Sequence, residues 1–242
     1  MSPKVSKSIL VSLLLVVAGI PVLAQNSIKR NDRPPAVASP TPSLVEAGQK
    51  NTDASRYTYE FKQPQFNINH IAIEHDALGK GQITFERRSE ETPIIEPIQL
   101  SAAALKRIFG LWMGLRFLDS DENYQASKNF AHLGTHWLGM NDGTRHRVAE
   151  FNWSNNKEAW SLVTEYRRVA DQAILIFNLK LARDMQPLNA PTLLNEMESL
   201  LKSDGLSDPR QLVPLLTELR TDEHIPLIAR NQADRILKKI EK

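Results

Sequence analysis

Hydrophobic and polar positions alternate between residues 133 and 153. A period of two is typical of β-strands that bury one face. The segment Asn141-Asp142-Gly143 interrupts the alternation and favours a tight turn. The pattern therefore predicts a β-hairpin. The residues expected on its inward face are Leu133, Thr135, Trp137, Ala149, Phe151 and Trp153.

The spacing of apolar residues becomes helical after Ser154-Asn155-Asn156. The apolar stripe consists of Ala159, Leu162, Val163, Tyr166, Val169, Ala170 and Ala173. This spacing predicts a long helix, which Pro187 and Pro191 end. Asn155, with Glu158 three residues later, would cap it as a variant of the capping box, and Ser154 is the alternative cap. Hairpin and helix together can form the core of a domain.

The chain before this hairpin repeats the same order of elements. Tyr57, Tyr59 and Phe61 alternate as in a short edge strand. Two further strands are predicted at 68–74 and 82–87, with Ile71, Ile73, Ile83 and Phe85 facing inward, and a short edge segment at 94–98. Ser101 is expected to cap a helix that begins with a Leu100–Leu105 hydrophobic staple. The buried stripe of that helix is Leu105, Ile108, Trp112 and Leu115.

The last part of the chain has a helical pattern only. A helix is predicted over 192–203, a second begins at Asp208 with Pro209 in its first turn, and Thr221 or Asp222 would cap a third. We therefore predict an α+β fold, with a mostly antiparallel sheet, helices on one face, and a small all-helical C-terminal region. The sheet domain is expected at 57–185 and the C-terminal helical cap at 186–242.

The N-terminal segment has the pattern of a secretory signal peptide over 1–24. Lys4 and Lys7 precede an apolar run from Ile9, and Val22-Leu23-Ala24 offers a cleavage site. The run of about 15 residues is shorter than a membrane span, although an uncleaved anchor is the alternative interpretation. Residues 25–56 are rich in Pro and Ser, which predicts a disordered tether. We expect a soluble protein that is periplasmic or secreted.

Composition and charge exclude several classes of function. The chain contains no cysteine, which rules out thiolate metal sites and thiol nucleophiles. It has 30 basic and 28 acidic residues, and the predicted signal peptide holds two of the lysines and no acid. The exported part is therefore close to neutral, so we expect no nucleic-acid partner. No serine-hydrolase elbow, phosphate loop or dinucleotide motif is present, and we expect no cofactor.

Three stretches of the chain resemble a group of uncharacterised exported bacterial proteins. They are Phe151-Asn152-Trp153-Ser154-Asn155-Asn156-Lys157, Glu165-Tyr166-Arg167-Arg168-Val169-Ala170-Asp171-Gln172 and Ile225-Pro226-Leu227-Ile228-Ala229-Arg230-Asn231. The likeness covers about 66–242, and 68–171 looks more loosely like a broader class of exported domains of unknown function. The resemblance implies the fold and the compartment. It implies no catalytic residue, because neither group has an established activity.

Three histidines are the candidate metal ligands: His132, His136 and His146. On one strand, His132 and His136 would lie about 13 Å apart, which is too far to share an ion. A cross-strand approach of His136 and His146 depends on the register of the turn. Surface or strand-end positions are the simpler expectation for all three.

Trp160 and the pair Arg167-Arg168 are the candidate partner-binding residues. Trp160 lies off the apolar stripe of the long helix, and the arginines could bind an anionic partner. We therefore expect a non-enzymatic interaction or scaffolding module of the bacterial cell envelope, with an envelope protein or a glycan as partner. The alternatives are a metal-assisted hydrolase that uses the three histidines, or a protein that binds a small ligand or glycan.

Overall fold

A computed structural model describes residues 55–242. The predicted signal peptide and nearly all of the predicted tether lie outside these residues. The strands are β1 (Arg56–Lys62), β2 (Ile68–Asp76), β3 (Lys80–Arg87), β4 (Ile94–Gln99), β5 (Thr135–Asn141) and β6 (His146–Phe151). The helices are α1 (Ala102–Leu115), α2 (Lys157–Met185), α3 (Ala190–Lys202), α4 (Val213–Thr221) and α5 (Leu227–Ile240).

The strands form one antiparallel sheet in the order β4-β3-β2-β1-β5-β6. Two hairpins flank β1, and α1 connects them on the buried face. This architecture confirms the α+β class and the predicted order of elements. The inward faces of β1, β2 and β3 are those that the alternation predicted. Their buried residues are Tyr57, Tyr59, Phe61, Ile71, Ile73, Ile83 and Phe85.

The predicted inward face of β5 is wrong by one residue. His136 and Leu138 are buried, whereas the side chain of Trp137 lies on the open face of the sheet. There its indole N–H donates a hydrogen bond to Glu150 across 3.0 Å, and the Lys62 ammonium lies 5.7 Å from the ring centroid. A shift of one residue exchanges the two faces of a strand. The pairing of β5 with β1 therefore determines which face of β5 is buried, and the apolar character of Trp137 did not indicate this face.

Helix α1 begins as the sequence predicted. The Ser101 hydroxyl accepts a hydrogen bond from the amide of Ala104, which satisfies one of the free donors of the first turn. Its buried residues are Ala104, Ile108, Trp112 and Leu115. Leu105, predicted in this stripe, is half-buried beside the core.

Helix α2 begins one residue later than predicted. Asn156, and neither Asn155 nor Ser154, is the N-cap, because its side-chain oxygen accepts from the amide of Ala159. The Ser154 hydroxyl instead accepts from the amide of Asn156 and fixes the turn before the helix. Ala159 occupies the third helical position, so the predicted capping box with Glu158 does not form.

The 29-residue helix α2 is shared by two hydrophobic cores. Its first half packs on the sheet and on α1, through residues such as Leu162 and Tyr166. Its second half contributes Leu175 and Leu179 to a separate core that it forms with α3, α4 and α5. The C-terminal helices therefore pack mainly on α2. Contact with the rest of the chain includes the Arg107 guanidinium, which donates to the carbonyl of Ser207 across 2.7 Å.

The last helix begins later than the sequence predicted. Asp222 accepts from the amide of His224 within a turn, and α5 begins only at Leu227, directly after Pro226. Neither Thr221 nor Asp222 is therefore its cap. Asp208 is a cap as predicted, because its side chain accepts from the amide of Arg210, but it caps a short 3-10 turn at Pro209–Leu212, and α4 begins only at Val213.

Both edge strands of the sheet make contacts with other parts of the chain. On β4, Pro97 has no amide hydrogen to offer, and the Gln99 carbonyl accepts from the Gln211 side chain across 2.9 Å. On the edge strand β6, the Arg147 guanidinium donates to the carbonyls of Phe117 and Glu122 and anchors the segment after α1. None of the helices between residue 55 and the C-terminus combines the length and apolarity that a membrane span needs.

Candidate functional site

A buried tyrosine–histidine pair lies at the centre of the candidate site. The Tyr59 hydroxyl and His136 Nδ1 are 3.2 Å apart, and both side chains are only 1% exposed. Desolvation and, as the smaller cause, the positive charge of Arg167 lower the pKa of His136 to about 4. Burial also raises the pKa of Tyr59. His136 is therefore neutral at physiological pH and closed to solvent.

A continuous series of ring contacts connects this pair to the surface, and we call it the aromatic ridge. In order of contact it consists of Phe66, Phe61, His136, Trp160, Trp153, Phe130 and His132. Centroids of successive rings lie 4.6 to 6.1 Å apart. Phe66 is 42% exposed, and Trp153, Trp160 and Phe130 are half-buried. The ridge therefore has a buried floor and an accessible aromatic surface.

Strand pairing and one close approach position the floor of the ridge. Phe61 on β1 pairs directly with His136 on β5. Gly134, at φ +98°, precedes β5 where a Cβ would collide with the Phe61 ring. The buried amide of Gln63 donates to the carbonyl of His132 across 2.6 Å and anchors the 3-10 turn at Ala131–Leu133. Glycine is thus required here for space as well as for its backbone angle.

Arg167 brings a cation to the ridge. Its guanidinium carbon lies 5.6 Å from the centroid of the Phe61 ring, a distance at which a cation and an aromatic face attract each other. The side chain is exposed, and no carboxylate of residues 55–242 lies within 4 Å of it. Asp171, one turn further along α2, has its pKa raised by desolvation, while Arg167 opposes that rise. An arginine and a half-buried carboxylate thus lie beside the ridge.

The candidate residues of the sequence are only partly brought together. His136, Trp160 and Arg167 converge on the ridge and its margin. Arg168 points elsewhere, because its guanidinium donates to Glu165 across 2.9 Å and to Asp204 across 2.6 Å. Arg167 and Arg168 therefore do not form one anion-binding site.

The three histidines do not meet. His132 is exposed on the 3-10 turn, His146 is exposed at the start of β6, and His136 is buried, contrary to the expected surface position. His146 pairs with Asn141 and His136 with Phe151, so about 16 Å of strand separates the two histidines. Residues 55–242 contain no group of three potential metal-binding side chains. This geometry does not support a shared ion.

Trp153 occupies a position that the sequence interpretation placed in the core. Strand β6 ends at Phe151, and the ring of Trp153 contacts Phe130 and Trp160, with no aromatic contact to Tyr166. Phe151, 1% exposed, is the residue that faces the core. The ring centroid of Trp160, which lies off the apolar stripe of the long helix, is 4.6 Å from that of Trp153. The two tryptophans therefore form one unit of the ridge.

Sequence reasoning missed a second buried polar group. His75 Nε2 accepts from the Tyr166 hydroxyl across 2.8 Å, and that hydroxyl accepts from the Trp112 indole across 3.1 Å. The other ring nitrogen, Nδ1, donates to the carbonyl of Asp76. All polar atoms of this group have partners, which is typical of a structural network. The only indication in the sequence is that His75 continues the alternation of the inward-facing residues Ile71 and Ile73, which predicts a buried position for it.

A cleft of about 410 Å³ lies between β4, α2 and the C-terminal helices. Gln172 crosses its floor, donating to Gln211 across 3.0 Å and accepting from the amide of Asp208. Lys180 and Glu218 lie on its rim. Gln172 and Gln211 bond to each other and to the backbone, so their side chains are not free to bind a ligand. We therefore interpret the cleft as a packing junction between the sheet and the C-terminal helices.

The arrangement of the ridge suits binding better than chemistry. His136, which contacts the buried Tyr59 hydroxyl, is not accessible to solvent. The accessible part of the ridge consists of aromatic rings, with the Arg167 cation beside them. Comparison with known families and proteins adds no assignment: no family model matches the chain, and no curated protein matches it significantly.

Proposed function

We propose that this protein is an exported, non-enzymatic interaction module of the bacterial cell envelope, which binds its partner through the aromatic ridge. The observation that carries the proposal is the exposure of aromatic rings on a rigid floor. Phe66 is 42% exposed in contact with the fully packed Phe61, and Trp153 and Trp160 lean on each other above His136. Half-exposed aromatic residues are enriched at binding surfaces.

The rigidity of the ridge favours binding. Phe61 and His136 stand on two paired strands and Trp160 on the first turn of α2, so these rings are held in place before a partner arrives. Fixed side chains lose little conformational entropy on association. The same packing supports a non-enzymatic role, because the buried His136 cannot exchange protons with a substrate at the surface.

The exported location rests on the sequence of residues 1–24 and on the resemblance to exported bacterial proteins. N-terminal sequencing of protein recovered from the cell envelope is expected to begin at Gln25. An intact Met1 on membrane-bound protein would replace the secreted form with an anchored one.

Crosslinking in the envelope fraction tests the binding role. A double variant, Trp160→Ala with Arg167→Ala, is expected to lose the crosslinked partner that the unchanged chain retains. Arg168→Ala is the matched control, because Arg168 is engaged with Glu165 and Asp204 away from the ridge. Equal partner recovery by the double variant and the control would refute the role of the ridge.

A metal-assisted hydrolase was the alternative, and the separation of His136 from His146 counts against it. Elemental analysis of the purified protein tests this directly. Stoichiometric zinc that is lost in His136→Ala would reinstate the alternative.

A further inference from the structure

We infer that the aromatic ridge and Arg167 together bind a saccharide that carries a carboxylate group. The inference rests on the proposed function, and it names the chemical class of the partner. Three features of the described chain support it: a cation without an internal partner, aromatic faces beside it, and a position over strands that already pair on both sides.

Arg167 differs from the other arginines around the same helix. Arg107 binds Glu165 across 2.9 Å, Arg168 binds Glu165 and Asp204, and Arg147 donates to two backbone carbonyls. Within residues 55–242, the side chain of Arg167 makes neither an ion pair nor a hydrogen bond. Its guanidinium lies over the face of the Phe61 ring. A guanidinium that is held on a ring keeps its planar fork of donors available for a carboxylate.

The rings supply the surface for the body of the ligand. Trp160 and Trp153 are half-buried and inclined at 49° to each other, and the exposed Phe66 contacts the same Phe61 ring as Arg167. A saccharide ring has an apolar C–H face and a rim of hydroxyl groups, which suits aromatic side chains with polar groups at their margin. Asp171 lies one turn from Arg167 and can accept hydrogen bonds from hydroxyl groups.

The position of the ridge over inner strands of the sheet disfavours a peptide that binds by strand pairing. Extended peptides often bind by adding a strand, so that backbone hydrogen bonds supply the affinity. The strands beneath the ridge, β1 and β5, already pair with a strand on each side. Recognition at the ridge is thus left to side chains, which offer ring faces and a cation.

A pair of disaccharides that differ in one carboxylate tests the inference. The probes are N-acetylglucosaminyl-N-acetylmuramic acid and di-N-acetylchitobiose, which lacks the lactyl carboxylate. Isothermal titration of the 242-residue chain is expected to show about tenfold tighter binding of the acidic disaccharide, because one charge-assisted hydrogen-bonded pair is lost in the neutral one. Arg167→Gln should remove this difference, and Arg168→Gln should preserve it.

Each other outcome separates the inference from the proposed function. Equal binding of both disaccharides by the unchanged chain, or an unchanged preference in Arg167→Gln, overturns the role of the carboxylate. Binding of neither disaccharide, or tighter binding of pentaglutamate, overturns the saccharide as the ligand. The proposed function survives those results if envelope crosslinking still depends on Trp160, and it fails separately if it does not.

Trp160→Ala provides a second test within the same titration. Loss of the ring is expected to weaken both disaccharides by a similar factor, because it contacts the part that they share. Trp137→Ala is the matched control, since Trp137 lies on the open face of the sheet. If Trp160→Ala weakens binding of the acidic disaccharide alone, this result contradicts the proposal that the ring contacts the shared part of the ligand while Arg167 binds the carboxylate.

Discussion

The Tyr166 hydroxyl donates to Nε2 of His75 across 2.8 Å and accepts from the indole of Trp112. One oxygen atom thus connects α2 to β2 and to α1. The Tyr166 ring also stacks on Tyr59, with centroids 5.3 Å apart. Helix α2 is therefore held in register with the sheet by a directional contact as well as by apolar packing, and the ridge depends on that register for the position of Trp160 and Arg167.

Removal of this hydroxyl should be costly. In Tyr166→Phe, the indole N–H of Trp112 and Nε2 of His75 both lose their partner inside the core. The expected loss in the free energy of unfolding is about 1–3 kcal/mol, which is typical for leaving a buried polar group unsatisfied. Urea melts followed by circular dichroism measure it. Tyr124→Phe is the control, because Tyr124 is also buried but its hydroxyl makes only a long contact of 3.4 Å with Arg147. An equal loss of unfolding free energy in Tyr124→Phe would contradict the explanation.

Trp153 and Trp160 should be coupled. A fully buried tryptophan costs about 3–5 kcal/mol when truncated to alanine, and half-buried rings should cost roughly half of that. We expect similar losses in Trp153→Ala and Trp160→Ala, and a double variant less destabilised than the sum by about 0.5–1.5 kcal/mol. Denaturant melts of the three variants form the double-mutant cycle. Additive losses would mean that the 4.6 Å ring contact contributes no stability.

His136 should make folding stability depend on pH. Its pKa is about 4 in the folded protein and near its ordinary value of 6.5 when unfolded, so the unfolded chain binds more protons between these values. This contribution is complete above about pH 6.5, and as the pH falls to 4 it declines by on the order of 3 kcal/mol. Burial lowers the pKa of His75 too, which adds a loss in the same direction.

Melts at pH 7.5 and pH 5 measure the contribution of His136. In His136→Gln, the decline in stability toward low pH should be smaller than in the unchanged chain, with the part due to His75 remaining. His132→Gln is the matched control, since His132 is exposed. Identical pH profiles for His136→Gln and the unchanged chain would show that His136 is not buried as a neutral group.

The two cores should unfold together because they share α2. Leu179 is fully buried in the C-terminal core, and Leu179→Ala should cost about 2–5 kcal/mol. Trp112, Trp137, Trp153 and Trp160 all lie in or around the sheet domain, so fluorescence reports on the other core. We expect the fluorescence transition of Leu179→Ala to shift with the circular dichroism transition. Met185→Ala, at a 73% exposed position, should shift neither. Separate transitions would show that the cores fold independently.

The sequence predicted those features that depend on neighbours along the chain. The alternation in β1, β2 and β3, the Ser101 cap and the Asp208 cap all follow from local patterns. It failed where a distant partner decides. Trp137 was placed inward for its apolar ring, yet its indole N–H and ring are satisfied on the open face by Glu150 and Lys62.

The candidate site was predictable only in part. Trp160 and Arg167 stood out as a bulky ring and a cation off the apolar stripe of a helix. Their meeting with His136 depends on the pairing of β1 with β5, and those strands lie far apart in the sequence. Phe66 and Phe130 lie outside every strand and helix, where no periodicity marks a residue as part of a surface.

The edge strand β4 has a consequence for copies of this chain that are crowded together. An exposed edge strand acts as a template for further strands and so nucleates fibrils. Pro97 withholds a donor and Gln211 occupies the Gln99 carbonyl, so β4 offers fewer backbone groups to a strand of a neighbouring molecule. This edge is therefore a weaker template for fibril growth, in a part of the molecule that the ridge does not use.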